Sequence, residues 1–368
     1  MVDSEPDLPK KGPLKGRGAV SNASGRYEAQ TRAPVDDGWV LAEDENAAPK
    51  LRTDVTVETC KSALTRNTSP DIPFDRSLNP YRGCEHGCVY CYARPSHAYM
   101  NLSPGLDFES KLFIKANMAE RLEDELRKPS YKPAPVMIGA NTDPYQRIEG
   151  DYKITRSLLE VLRAYRHPAV IVTKSHMVTR DADILAEMAA DNLISVGMSL
   201  TTLDKDLART LEPRAATPKR RLQAMEVLSA AGVPTTVLAA PMIPTLNDFE
   251  LEGILEASRN AGAATAAYIL LRLPLELKDL FAEWLEAHAP NKAKRVMSLL
   301  KQSRDGQLYV SEFGTRMTGT GVHAKLLNQR FHLACKKLGL RPAEPAAFPL
   351  NSTAFTRPPR VGDQLGLF

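Results

Sequence analysis

Short apolar runs rich in β-branched residues alternate with amphipathic segments through the middle of the chain. The apolar runs predict six β-strands, at residues 78–82, 136–140, 169–173, 194–200, 235–240 and 266–271. The amphipathic segments between them predict helices, at residues 119–126, 154–165, 181–190, 220–231 and 248–261. Gly232 and Gly262 follow two of these helices, where a left-handed C-cap favours glycine. Strands and helices that alternate in this way predict an α/β fold with a parallel sheet and right-handed crossovers.

The two ends of the chain lack this periodicity. Residues 1–55 are rich in proline, glycine, alanine and charge, which predicts a mobile N-terminal tail before a core at 56–285. Residues 286–341 are predicted to form a basic helical extension, and 342–368 a proline-bearing tether. The net charge of the whole chain is only +4, but residues 292–341 hold eleven Lys or Arg against two acids. That imbalance fits a polyanionic partner and a solvated helical face equally well.

The same composition argues against secretion and membrane insertion. The first fifteen residues have no apolar core of the signal-peptide type. The longest apolar candidate, residues 261–271, is ended by Arg272 and Pro274, well short of a membrane span. We therefore expect a cytoplasmic protein, and in a reducing compartment clustered cysteines favour a metal over disulfides.

Three of the five cysteines form a tight cluster directly after the first predicted strand. Cys84, Cys88 and Cys91 have C-x3-C-x2-C spacing, with Gly83 and Gly87 interleaved. Three thiolates at this spacing hold three irons of a [4Fe-4S] cluster and leave the fourth iron open. A small molecule with an amine and a carboxylate can chelate that open iron. The glycines let the backbone wrap closely around an inorganic core.

A structural zinc site is the alternative for this cluster. Its fourth ligand would come from His86, His97 or Cys335. Zinc motifs usually have two paired-ligand halves, and the sequence shows no second half. The iron–sulfur interpretation is therefore favoured.

With an aromatic residue before the third cysteine, this loop resembles the radical S-adenosylmethionine (SAM) superfamily over residues 78–273. The resemblance implies a partial (β/α)6 TIM-like barrel that cleaves SAM to methionine and a 5′-deoxyadenosyl radical. It also implies a set of cofactor contacts at the strand ends, although the usual Gly-Gly-Glu form is missing after the second strand. By this resemblance, Tyr90 would contact the adenine of SAM and Lys174 its carboxylate. The SAM amino group would be bound by Asn141, Thr142 and Asp143. Contacts with the ribose and the carboxylate would come from Ser199, Thr201 and Glu212.

Longer strings are similar to the branch of spore photoproduct lyase, a DNA-repair enzyme. They include CVYCYAR at 88–94, TDPYQ at 142–146 and LEPR at 211–214. The implied reaction is hydrogen abstraction from a pyrimidine lesion. The lyase has a further cysteine after its second strand that returns a hydrogen atom, and this chain has none at 139–142. Tyr145 is our candidate for a substitute donor.

Several partners and alternative functions follow from these patterns. Basic residues near the predicted barrel mouth suit DNA phosphates or, alternatively, form ordinary surface charge; they are Arg214, Lys219, Arg220 and Arg221. The C-terminal residues Gln364, Leu365, Leu367 and Phe368 resemble a peptide that docks on the bacterial sliding clamp, or they tuck onto their own domain. The reductant would be a flavodoxin- or ferredoxin-type protein. The alternatives are a radical SAM enzyme that modifies RNA, a peptide or a metabolite, and a non-catalytic iron–sulfur or zinc protein.

Overall fold

A computed structural model describes residues 13–29, 51–343 and 348–359, and its centre is a twisted parallel sheet. The strands in chain order are β1 (Asp54–Glu58), β2 (Leu64–Arg66), β3 (Arg76–Leu78), β4 (Tyr81–Arg82), β5 (Lys111–Lys115), β6 (Val136–Ile138), β7 (Ala169–Thr173), β8 (Ile194–Ser199), β9 (Thr235–Met242), β10 (Thr265–Leu270) and β11 (Arg341–Pro342). The main sheet has the order β11-β10-β9-β8-β7-β6-β3-β2. From β3 to β10 its neighbours are all parallel, which confirms the partial (β/α)6 TIM-like barrel.

The helices cover the outside of this sheet. They are α1 (Leu106–Ser110), α2 (Met118–Arg127), α3 (Glu149–Tyr152), α4 (Ile154–Ala164), α5 (Ala182–Ala190), α6 (Lys205–Leu211), α7 (Pro218–Ala230), α8 (Leu251–Asn260), α9 (Leu277–His288), α10 (Pro290–Gln302) and α11 (Gly321–Leu338). Short 3-10 segments lie at Arg94–Met100, His176–Asp181, Asp248–Glu250 and Ser352–Ala354. In α4 the buried residues Leu158, Leu159 and Leu162 form one stripe that packs into the main core. The described residues contain no helix of the length and apolar character needed to cross a membrane.

The first predicted strand is broken in two. Pro80, which has no backbone N–H to give to a strand ladder, separates β3 in the main sheet from β4. Strand β4 instead pairs with β5, and β5 pairs with β1, in a separate three-stranded sheet. The break directs the chain away from the barrel and into the loop that holds the three cysteines.

Part of the predicted N-terminal tail is packed on the core. Residues 13–29 lie against the barrel, with Arg17 and Ala19 buried, so the prediction of a mobile tail is wrong for this segment. The periodicity was absent because the segment is fixed by hydrogen bonds rather than by an apolar face. The rest of the predicted tail, at 1–12 and 30–50, lies outside the described residues.

The C-terminal part of the chain also packs onto the barrel. Helix α11 buries Phe331 against Tyr268 of β10, with 4.9 Å between ring centroids, so it shares the main core. Farther along, Phe355 packs on Tyr165 and His167. Residues 348–359 are therefore held against the barrel and do not form the free tether expected there. The clamp-like residues lie outside the described ranges; they are Gln364, Leu365, Leu367 and Phe368.

An ion pair between Asp71 and Arg316 links loops at the two edges of the open sheet. Asp71 lies in the loop between β2 and β3, at one edge, and Arg316 lies in the loop between α10 and α11. Next to Arg316, the carbonyl of Met317 accepts a hydrogen bond from Leu270 of β10, near the other edge. The Arg316 guanidinium lies 2.5 Å from an Asp71 carboxylate oxygen, and both side chains are mostly buried.

Candidate active site

The three clustered cysteines lie on one loop that follows β4. Cys84 and Cys88 are buried and Cys91 is partly buried. Gly83 and Gly87 take positive φ angles of 74° and 66°, which an L side chain rarely adopts. At Gly83 a Cβ would lie 2.7 Å from the Leu112 side chain. The loop therefore depends on both glycines for its path.

The donor set of this loop fits an iron–sulfur cluster. Burial raises the pKa of all three thiols, and because a cluster binds the thiolate form, its binding is coupled to the release of protons. Among the described residues, no group of three or more His, Cys, Asp and Glu side chains is arranged around a point where one metal ion would sit. A tetrahedral zinc needs such convergence, whereas the ligands of a cube bind separate irons. Cys84, Cys88 and Cys91 would hold three of those irons.

The three proposed fourth ligands for zinc are engaged elsewhere. His86 Nδ1 lies 3.3 Å from an Asp143 carboxylate oxygen. His97 Nε2 lies 3.0 Å from the carbonyl of Lys111. Cys335 is buried in the main core, in helix α11. These contacts disfavour the zinc alternative.

A buried arginine holds the backbone between two of the cysteines. Arg94 is fully buried, and its guanidinium donates to the carbonyl oxygens of Gly87 and Cys88 at 2.9 and 2.8 Å. The same group pairs with the Glu109 carboxylate at 2.5 Å. This arrangement fixes the two peptide units on either side of the second cysteine, Cys88.

Glu212 is the centre of a polar group at the C-terminal ends of the strands. Its carboxylate accepts hydrogen bonds from Tyr90, from Thr201 and from Arg221. Because Tyr90 stands between Cys88 and Cys91, this contact places the cluster loop directly beside the polar group. Lys174 Nζ lies 3.9 Å from the Glu212 carboxylate and donates to Ser199 Oγ at 2.7 Å. The structure thus brings together five predicted cofactor contacts, namely Tyr90, Lys174, Ser199, Thr201 and Glu212.

The predicted contacts after β6 have a different arrangement. Burial alone would raise the pKa of Asp143, but His86, the Thr173 hydroxyl and the Lys174 amide outweigh it and lower the pKa to about 2. Thr142 is buried and donates its hydroxyl to the carbonyl of Tyr81. The backbone N–H of Asn141 donates to Asn79 Oδ1. These contacts hold the loop in shape, and the Asp143 carboxylate is already saturated with donors.

Comparisons with known proteins agree with this geometry. Residues 78–257 match the family model described as the radical SAM superfamily. The chain is 37% identical over 246 residues to an uncharacterized protein of Mycobacterium tuberculosis, covering 66% of this chain and 72% of the relative. This chain belongs to the radical SAM superfamily. The family implies SAM and an iron–sulfur cluster as cofactors.

More distant matches share the fold. An uncharacterized protein of Methanocaldococcus jannaschii is 28% identical over 173 residues, which cover 47% of this chain and 62% of that protein. Spore photoproduct lyase complexed with dinucleoside spore photoproduct superposes with a TM-score of 0.57 at 13% identity, over 78% of this chain and 81% of that one. Another structure of that enzyme, with bound AdoMet, gives 0.57 at 14% identity. At these identities the likeness shows a common radical SAM fold.

The structure does not bring Tyr145 to the radical SAM site. Tyr145 is fully buried, and its hydroxyl donates to Asp181 at 2.9 Å. Arg180 lies over the Tyr145 ring, 5.8 Å from its centroid. The Tyr145 hydroxyl is thus bound to Asp181 and not to the polar group around Glu212, and its role as a hydrogen-atom donor stays a prediction. Cys60 and Cys335 both pack with the main core.

Two side chains near the cysteine loop, Tyr92 and Arg272, were not chosen as site candidates from the sequence. Tyr92 directly follows the third cysteine, is half exposed, and donates its hydroxyl to the carbonyl of Ala140. The guanidinium of Arg272, two residues beyond the end of β10, lies 5.1 Å from the centroid of the Tyr92 ring. The position of Tyr92 beside a ligand cysteine was the available signal. Ala140 lies in the stretch where the lyase has its additional cysteine.

One predicted phosphate contact has a structural role. Arg221 is buried, and besides Glu212 it holds the carbonyls of Ala216 and Ser199, at 2.8 and 3.0 Å. The Arg214 guanidinium is also engaged: it pairs with the buried Glu85 carboxylate at 3.0 Å and donates to Thr53 Oγ1 at 3.2 Å. The exposed basic residues of the predicted rim are therefore Lys219 and Arg220.

Proposed function

We propose that this protein holds a [4Fe-4S] cluster on Cys84, Cys88 and Cys91 and acts through SAM on a nucleobase lesion in DNA. When bound, the cluster supplies one electron to SAM, whose reductive cleavage provides a 5′-deoxyadenosyl radical. The observation that carries the proposal is the hydrogen bond between Tyr90 of the cluster loop and Glu212 of the polar group. It makes the cluster ligands and the polar group one site.

The polar group has the chemistry to bind and orient SAM. Burial lowers the pKa of Lys174, but a carboxylate ligand would favour its charged form. Lys174 therefore suits the SAM carboxylate, and Glu212 suits a ribose hydroxyl. Tyr90 presents a ring beside them for the adenine, 5.7 Å from Lys174 Nζ. Because Ser199, Thr201 and Glu212 are buried, this part of the site excludes bulk water.

Two exposed aromatic side chains support a nucleic acid as the substrate. Tyr92 and Phe313 are half exposed, and the guanidinium groups of Arg272 and Arg316 lie 5.1 and 4.8 Å from their ring centroids. Exposed rings can stack on bases, while the exposed Lys219 and Arg220 suit phosphates. A damaged base that is flipped out of the helix, at a cost of a few kcal/mol, would reach the site.

Tyr92 is our candidate for the hydrogen-atom donor in place of the missing cysteine. Its hydroxyl reaches the backbone at Ala140, and its half-exposed side chain lies at the mouth, where a substrate would enter. A flavodoxin- or ferredoxin-type reductant stays a prediction, as does docking of the C-terminal residues on a sliding clamp.

The decisive experiment uses protein reconstituted without oxygen. We expect iron and sulfide in the ratio of a [4Fe-4S] cluster, deoxyadenosine formation on reduction with SAM, and salt-dependent DNA binding. A DNA oligonucleotide that carries a deuterated pyrimidine lesion should transfer deuterium into deoxyadenosine. Cys88→Ala should lose the cluster, and Cys60→Ala, outside the loop, should retain it.

The outcomes separate the alternatives. Absence of DNA binding even at low salt would refute the DNA substrate. Deuterium transfer from labelled RNA, a peptide or a metabolite would then select a different radical SAM reaction. Zinc without iron, together with no SAM cleavage, would select the non-catalytic metal protein.

A further inference from the structure

The N-terminal segment crosses the cluster loop in direct backbone contact. A Cβ on Gly18 would lie 1.8 Å from the carbonyl oxygen of Gly87 and 3.3 Å from the amide nitrogen of Val89. No side chain fits between the two backbone segments at this point. Gly18 is therefore required for the segment to lie against the stretch that carries Cys88.

A single buried carboxylate connects this segment to the loop. Glu109 accepts the backbone N–H groups of Gly18 and Ala19 at 3.0 and 2.8 Å. The same carboxylate pairs with Arg94, which holds the carbonyls of Gly87 and Cys88. Hydrogen bonds to a charged acceptor are among the strongest in proteins. Residues 18–19, Glu109, Arg94 and the loop thus form one connected network.

Further contacts hold the segment on both sides of Gly18. Arg17 is buried and donates to the carbonyls of Glu109 and Leu51 at 2.7 and 2.6 Å. On the other side, Asn22 exchanges two hydrogen bonds with Asp107, at 2.9 and 3.2 Å. The docking of residues 17–22 is therefore extensive.

We propose that residues 17–19 are part of the cluster site: they cover the loop from water and fix the Gly87 and Cys88 peptide units. Solvent exposure and hydrogen bonds near the sulfurs are known determinants of cluster potential and survival. The inference rests on the cluster of the proposed function and is independent of the DNA substrate.

The test compares Gly18→Ala with Gly16→Ala. Gly16 has a φ of +76° and nothing within 4 Å of its Cβ position, so its replacement strains the backbone without touching the loop. In the metal-free chain, amide hydrogen exchange in a peptide spanning 84–92 should be about tenfold faster for Gly18→Ala than for wild type. For Gly16→Ala it should stay within about threefold of wild type.

The loaded protein supplies a second readout. Gly18→Ala should lose its iron–sulfur absorbance in air about tenfold faster than Gly16→Ala and should shift the reduction potential and EPR spectrum of the cluster. Should Gly18→Ala fail to fold, Glu109→Gln serves instead, because it keeps the shape and removes the charge. Its control is Asp107→Asn, which weakens the contacts of Asp107 with Asn22, Ser103 and Lys111 and leaves those of Glu109 in place.

Two results would overturn the inference in distinguishable ways. If Gly18→Ala and Glu109→Gln match their controls in exchange, cluster lifetime and potential, the segment is no part of the site although the cluster stands. If the wild-type chain takes up no iron, the proposed function and the inference both fail.

Discussion

Replacing Arg221 with methionine tests whether the polar group around Glu212 is a preorganised unit. Both side chains of the pair are 1% exposed, so the replacement leaves a carboxylate buried without its main counter-charge. Breaking a buried ion pair from one side costs about 3–5 kcal/mol. Tyr90, Thr201 and the more distant Lys174 remain near Glu212. We therefore expect a loss at the lower end of that range, about 3 kcal/mol of unfolding free energy.

Urea unfolding of the metal-free chain provides the assay, with Arg220→Met as the matched control. Arg220 is one residue away and exposed, so its loss should change stability by no more than about 0.5 kcal/mol. The double variant, Arg221→Met with Glu212→Gln, removes both charges. Its loss of unfolding free energy should be smaller than the sum of the losses in the two single variants. A cost below about 1 kcal/mol for Arg221→Met, or strict additivity, would refute the buried-pair reasoning.

Other predictions address ligand binding, turnover and pH. Lys174→Met should weaken SAM binding by about ten- to a hundredfold, the equivalent of one charged hydrogen bond, and an unchanged Kd in anaerobic calorimetry would contradict this assignment. Tyr92→Phe should keep SAM cleavage within about twofold but lose product formation on the lesion substrate, whereas normal product yield would exclude Tyr92 as donor. Burial lowers the pKa of His97 and His167 to about 4, so the unfolded chain binds more protons than the native one below about pH 6.5. Stability should therefore fall by about 2 kcal/mol per histidine between pH 7 and 5, and a flat stability profile would show that these histidines are not buried in neutral form.

The barrel could be predicted from the sequence because its strands and helices each have a characteristic pattern of hydrophobic and polar residues. The strand predicted at 169–173 coincides with β7, and the helix predicted at 154–165 matches α4 to within one residue. The cysteine loop was equally accessible, because three ligands at fixed spacing need no tertiary information. The predicted first strand was inaccurate here, because Pro80 divides it between two sheets.

The features that the sequence did not reveal share a physical cause, which is dependence on distant partners. Tyr145 is buried in the core, where Asp181, 36 residues away, accepts its hydroxyl hydrogen bond. Arg221 is buried because Glu212 is there to receive it, which a count of basic residues does not reveal. The docked N-terminal segment uses backbone N–H groups on Glu109, 91 residues from Gly18, and backbone contacts leave no hydrophobic pattern.

The contact between Asp71 and Arg316 has a consequence for access to the barrel interior. Adjacent strands are held by ladders of backbone hydrogen bonds, whereas Asp71 joins loops at the two sheet edges through the Arg316 guanidinium and the Gly314 N–H. Because both side chains are mostly buried, salt screens this contact only weakly, and its loss would leave all strand ladders intact. Parting the two edges means exposing this pair to water, so we expect this side of the barrel to stay closed at high ionic strength as well as at low.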